Sequence, residues 1–150
     1  MANSLKWLVL VPTDFERQFL SKNALANTEL CGFGPIAAAA RTAFLISQRQ
    51  PENILVMGIA GGFDENLMAT ALEFGSVVCD GVGVGEGEGF QSASEIGWSH
   101  WSQDSPSLKI EDEVQLAAAN STQRLLTVCS ASADAAQAAR RQQRLSLIHI

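Results

Sequence analysis

Residues 54–63 read ILVMGIAGGF, and how this stretch is understood decides the fold. Ile54, Leu55, Val56 and Met57 run without a polar break into Gly58, and Gly61 and Gly62 follow. An unbroken apolar run closed by glycine predicts a buried strand of a parallel sheet. The glycines then leave the strand's carboxyl end bare of side chains. One explanation is a tight turn that needs small residues. The other is a ligand, such as a flat ring, lying against naked backbone where α/β sheets place their ligands. The segment alone leaves both open.

The flanking segments repeat the pattern. LKWLVLVPT (5–13) is an apolar run stopped by Pro12, suited to a strand buried on both faces. TDFERQFLSKNAL (13–25) has Thr13 three residues before Glu16, a capping-box spacing, and Phe15, Phe19 and Leu20 at helical intervals. TELCGFGP (28–35) is short and turns at Gly32 and Gly34. PIAAAARTAFLISQRQ (35–50) reads as a helix with Pro35 in its first turn and Pro51 beyond its end. FGSVVCDG (74–81) and RLLTVCSAS (124–132) are further strands, and ADAAQAARRQQR (133–144) is a helix. The Gly- and Ser-rich stretch 80–107 is expected to be a long, mobile loop. Strand and helix alternate, so the expected class is α/β: a mainly parallel twisted sheet flanked by helices, in one domain.

Composition narrows the function. Of 150 residues, 47% are hydrophobic and 17% charged, which describes a globular chain. A formal net charge of −6, with basic residues clustered only at Arg140, Arg141 and Arg144, speaks against nucleic acid as a partner. No apolar run reaches the ~20 residues of a membrane span. Three scattered cysteines and two histidines make neither a disulfide framework nor a zinc site; buried free thiols in the cytoplasm are expected.

The alternate glycines from Gly81 to Gly89 never give G-x-G-x-x-G, and Glu86 and Glu88 would repel a pyrophosphate. No Walker loop and no nucleophile elbow occurs. His100 cannot hold a metal unaided, and Trp98 and Trp101 read as lids or core fillers. Glu16 has two readings. As a capping-box residue it satisfies the Thr13 backbone N–H and does nothing else. As a general base it stands just after the first strand, where a carboxylate can activate water.

Taken together, LVLVPTDFE (8–16), CGFGPIAAAARTA (31–43), VMGIAGGF (56–63), EGFQSASEIGW (88–98) and LLTVCSASADAAQAARR (125–141) resemble, in this order, the futalosine hydrolases. These belong to the nucleoside phosphorylase and nucleosidase superfamily, and the likeness touches most of residues 5–144. The resemblance implies a phosphorylase/hydrolase-like fold. It also implies hydrolysis of the N-glycosidic bond of futalosine to hypoxanthine and dehypoxanthinyl futalosine, a step toward menaquinone, with no cofactor and no metal. Glu16 matches the family's water-activating glutamate, Ala60 and Gly61 the backbone beside base and ribose, and Phe33 the position facing the 5′ substituent. Gly34, Ile59 and Phe90 lie in the same motifs and complete the substrate-side candidates. VPTDFE lacks the early glycine-and-arginine phosphate site of the phosphorylases, which favours hydrolysis.

Two departures qualify this. Little chain separates Glu16 from Gly32, short for the hairpin of methylthioadenosine nucleosidases. Nothing in residues 121–150 matches the family's ribose-gripping Met-Glu motif or its purine-protonating aspartate. The closing LSLIHI (145–150) is what a transposase sequencing adapter encodes, so residues 1–144 are expected to be the front part of one nucleosidase domain and 145–150 a non-native tail; an ordinary apolar tail is the alternative. The complete enzyme is expected to be a cytoplasmic homo-oligomer acting on a small nucleoside. A methylthioadenosine or adenosylhomocysteine nucleosidase, or a non-catalytic ligand- or partner-binding α/β module, remain the other readings.

Overall fold

The computed structural model describes residues 5–21, 24–102, 109–116 and 119–145. They form two compact units, residues 1–59 and 60–150. The first unit is built on β1 (Trp7–Val11), the central strand of a three-stranded parallel sheet. It is flanked by β2 (Thr28–Leu30) and β3 (Asn53–Val56), with Val9 opposite Thr28 and Leu55. Leu8, Leu10 and Val11 are fully buried, as an apolar central strand requires. Parallel strands need crossover connections, and helix α2 (Pro35–Arg49) supplies the one that carries the chain from β2 past β1 to β3. Its limits follow from chemistry: Gly34 sits at φ +85° before Pro35, and Gln50 ends the helix in the left-handed region just ahead of Pro51. Leu45 is its one fully buried residue and closes a core with Leu8, Leu10 and Cys31, against which Leu5 and Ala38 pack.

Two expectations for this unit fail. Helix α1 covers only Asp14–Arg17 instead of running to Leu25. Phe15 and Phe19 stack edge to face at 5.4 Å but stay mostly exposed, so the helical spacing found no core to bury itself in. Strand β3 is also not buried. It lies at the edge of the sheet, and Val56 is 66% exposed.

In the second unit β4 (Ser76–Asp80) is central, parallel to β10 (Arg124–Val128) and antiparallel to β9 (Glu113–Gln115). Strand β9 has no counterpart among the expected elements, because Glu113-Val114-Gln115 carries almost no apolar signal. Val78 and Leu126 form the core, covered by Phe63, Val128 and Leu145. Helix α3 spans Ala135–Leu145, so Leu145, the first residue of the expected tail, closes a helix; residues 146–150 lie outside the described residues. The class is therefore α/β, with a parallel sheet in one unit and a mixed sheet in the other. The expected long loop is in part structured. Within it β5 (Gly83–Val84) pairs with β6 (Gln91–Ser92), and its β7 (Trp101–Ser102) pairs with β8 (Lys109–Ile110), just beyond its end. A Cβ on Gly83 would stand 2.0 Å from the Gln91 carbonyl oxygen, so glycine here admits a returning strand and not a phosphate.

Candidate functional site

The register of the first sheet determines what faces Glu16. Leu10 lies opposite Val56, and the Met57 N–H donates to the Leu10 carbonyl at 2.9 Å. Continuing past the ladder, the chain brings Gly58 beside Pro12 and Ile59 beside α1. The Ile59 N–H donates to Glu16 Oε1 at 3.0 Å. The other carboxylate oxygen, Oε2, accepts the Thr13 hydroxyl at 2.6 Å. That same hydroxyl accepts the Glu16 N–H at 3.3 Å, which is the N-cap of α1.

The capping reading of Glu16 is thus half right. Thr13 caps the helix through its hydroxyl, but the Glu16 carboxylate is taken by that hydroxyl and by the Ile59 N–H at the carboxyl end of β3, not by the Thr13 backbone N–H. This also answers the question raised by the glycines. A Cβ on Gly58 would lie 2.8 Å from Glu16 Oε1 and 3.4 Å from the Pro12 ring. At Gly58 the missing side chain gives room to the Glu16 carboxylate. Gly61 is in open space, with nothing within 4 Å of a would-be Cβ.

A carboxylate offers about four lone-pair positions, and the two observed bonds use two of them. Glu16 is half-buried, so acceptor capacity remains for a water molecule. Burial pushes the Cys31 thiol up from its ordinary value, with the Glu16 charge adding to the effect, and the side chain packs in the core with Leu8, Leu10 and Leu45.

The other candidates are placed as follows. Ile59 is beside Glu16 through its backbone, and its side chain is exposed. Phe33, 85% exposed, and Gly34 form the turn before α2. Ala60, Gly61 and Phe90 belong to the second unit, where Ala60 and Gly61 are exposed and the Phe90 ring lies 5.2 Å from the Arg144 guanidinium. An open depression of about 360 Å³ is lined by Asp14, Arg17, Gln18 and Thr28; Glu16 is not among its lining residues.

The second unit holds polar clusters that the sequence did not announce. Asp80, with a side chain 5% exposed, receives Arg141 Nε at 2.7 Å and also pairs with Arg144. Glu113 accepts the Ser76 hydroxyl at 2.6 Å and Arg124 through both Nε and Nη2. His100 Nε2 lies 2.8 Å from Asp112. Burial raises the Asp112 carboxyl, but hydrogen bonds from Ser92, His100 and Ser94 outweigh it and hold the group below its usual value. Trp98 and Trp101 are both exposed, so neither fills a core, and Cys129 is exposed rather than buried. Among the described residues no group of three His, Cys, Asp or Glu side chains is arranged to hold a metal, and no helix is long and apolar enough to cross a membrane.

No protein-family model, no curated protein and no solved structure matches the chain.

Proposed function

We propose that the chain belongs to a purine nucleosidase of the nucleoside phosphorylase superfamily, with futalosine as substrate. The observation that carries this reading is the Glu16 carboxylate held at the carboxyl end of the first sheet by the Ile59 N–H. A base in that position orients a water molecule, and takes its proton as the oxygen attacks C1′ of the ribose. The C1′–N bond breaks with its electron pair leaving on the purine, through a state with oxocarbenium character. Phe33, 85% exposed and in the same unit as Glu16, is the residue that the family resemblance sets against the 5′ substituent.

The reading requires an acid for the departing purine and a clamp for the ribose hydroxyls. Neither has a counterpart in residues 121–150. The test is a panel of futalosine, methylthioadenosine and adenosylhomocysteine, assayed for purine release. The uninterrupted reading frame is expected to release hypoxanthine from futalosine, and the 150-residue chain none. Release of adenine from methylthioadenosine instead would move the assignment to the neighbouring branch, and no release by the full frame from any of the three would refute it.

A further inference from the structure

We propose that Thr13 is the positioning residue that locks the Glu16 carboxylate against the Ile59 amide, an inference that rests on the reading of Glu16 as the base. A glutamate side chain has three rotatable torsions, and an exposed one samples many rotamers. One hydrogen bond from Ile59 fixes a single oxygen and leaves the carboxylate free to pivot about it. The Thr13 hydroxyl removes that freedom. It donates its proton to Oε2 at 2.6 Å and uses a lone pair to accept the Glu16 N–H at 3.3 Å, so it holds both ends of the same residue. Thr13 is held in turn. It follows Pro12, is extended at φ −136° and ψ 160°, and stands next to a strand whose last residues are bonded on both sides, Val11 to Cys31 and Leu10 to Met57.

The consequence is an oriented acceptor. With Oε1 on an amide and Oε2 on a hydroxyl, the remaining lone pairs have fixed directions, as a group that must aim a water at one carbon needs. A threonine that only capped α1 would reach Ile59 solely by fraying the helix that carries Glu16, and exchange at the Arg17 and Gln18 amides would then rise with it.

Backbone amide hydrogen exchange on this 150-residue chain separates the two roles, because it needs no turnover. Four proteins are compared: the parent, Thr13→Val, Thr13→Ser and Glu16→Ala. Exchange at the Ile59 amide is expected to speed about tenfold in Thr13→Val, approaching the value in Glu16→Ala, and to stay near the parent value in Thr13→Ser, which keeps the hydroxyl. The Met57 and Cys31 amides report the strand network and should not change. An Ile59 amide unchanged in Thr13→Val but faster in Glu16→Ala would overturn the proposal, as would an Ile59 amide indifferent to Glu16→Ala. An equal rise at Met57 in Thr13→Val would also overturn it, since Thr13 would then hold the backbone and not the carboxylate. Purine release tests the nucleosidase reading separately, so failure of one is not failure of the other.

Discussion

Glu16 and Ile59, 43 residues apart, are joined by a 3.0 Å hydrogen bond from the backbone N–H of Ile59 to the carboxylate of Glu16. The bond ties helix α1, which follows β1, to the segment after β3, and it exists because β1 and β3 are parallel neighbours whose carboxyl ends meet. Gly58 makes room for it.

Gly58→Ala tests that room. Its φ is not in the left-handed region, so alanine is tolerated by the backbone, and the Pro12 ring at 3.4 Å is in ordinary contact. Only Glu16 Oε1, at 2.8 Å, must move. The variant should therefore melt within about 1 kcal/mol of the parent while losing the Ile59–Glu16 bond, seen as a shifted Ile59 amide resonance. Gross unfolding, or an unchanged Ile59 resonance, would contradict the packing described.

Much of the first unit was legible because its signals are local. The apolar run of β1, and the Pro35 and Pro51 bracket around α2, set those elements within about two residues. The failures are long-range. Phe15 and Phe19 have helical spacing, but no partner meets them, and α1 stops at Arg17. Strand β9 is polar and is held by Ser76 and Arg124 from other strands, which no window along the chain reveals. The Thr13–Glu16 spacing announced a cap, whereas the direction of the Glu16 carboxylate depended on β3.

Asp80 anchors α3 in the second unit through Arg141 and Arg144. Asp80→Asn keeps the size but leaves two guanidiniums facing a neutral group at a buried site. Removing one partner of a buried pair costs roughly 3 kcal/mol or more. Urea unfolding should show a loss of that order for Asp80→Asn and a smaller one for Arg144→Ala, whose side chain is 36% exposed and leaves Arg141 in place. Equal, near-zero effects would mean that the pairs contribute only surface electrostatics.

Glu113 makes stability depend on pH. The Ser76 hydroxyl first, and Arg124 second, hold its carboxyl below the ordinary 4.5, with burial opposing them. The folded state binds this proton less readily than the unfolded chain, so the stabilisation is complete above the ordinary glutamate range and is lost as pH falls below it. The urea midpoint should fall between about pH 6 and about pH 3 more steeply for the parent than for Glu113→Gln. Parallel slopes would show that Glu113 is not a source of the acid sensitivity.

The most direct test of the base is turnover of futalosine by the uninterrupted reading frame, compared between the parent and its Glu16→Gln variant. Glu16→Gln keeps the size of the side chain and can still accept the Ile59 N–H through its amide oxygen, but it cannot take a proton from water at neutral pH. If Glu16 activates the water, kcat for hypoxanthine release should fall by about 10²-fold or more, with a melting temperature close to the parent's. A Glu16→Gln enzyme that cleaves futalosine at nearly the parent rate would contradict the account.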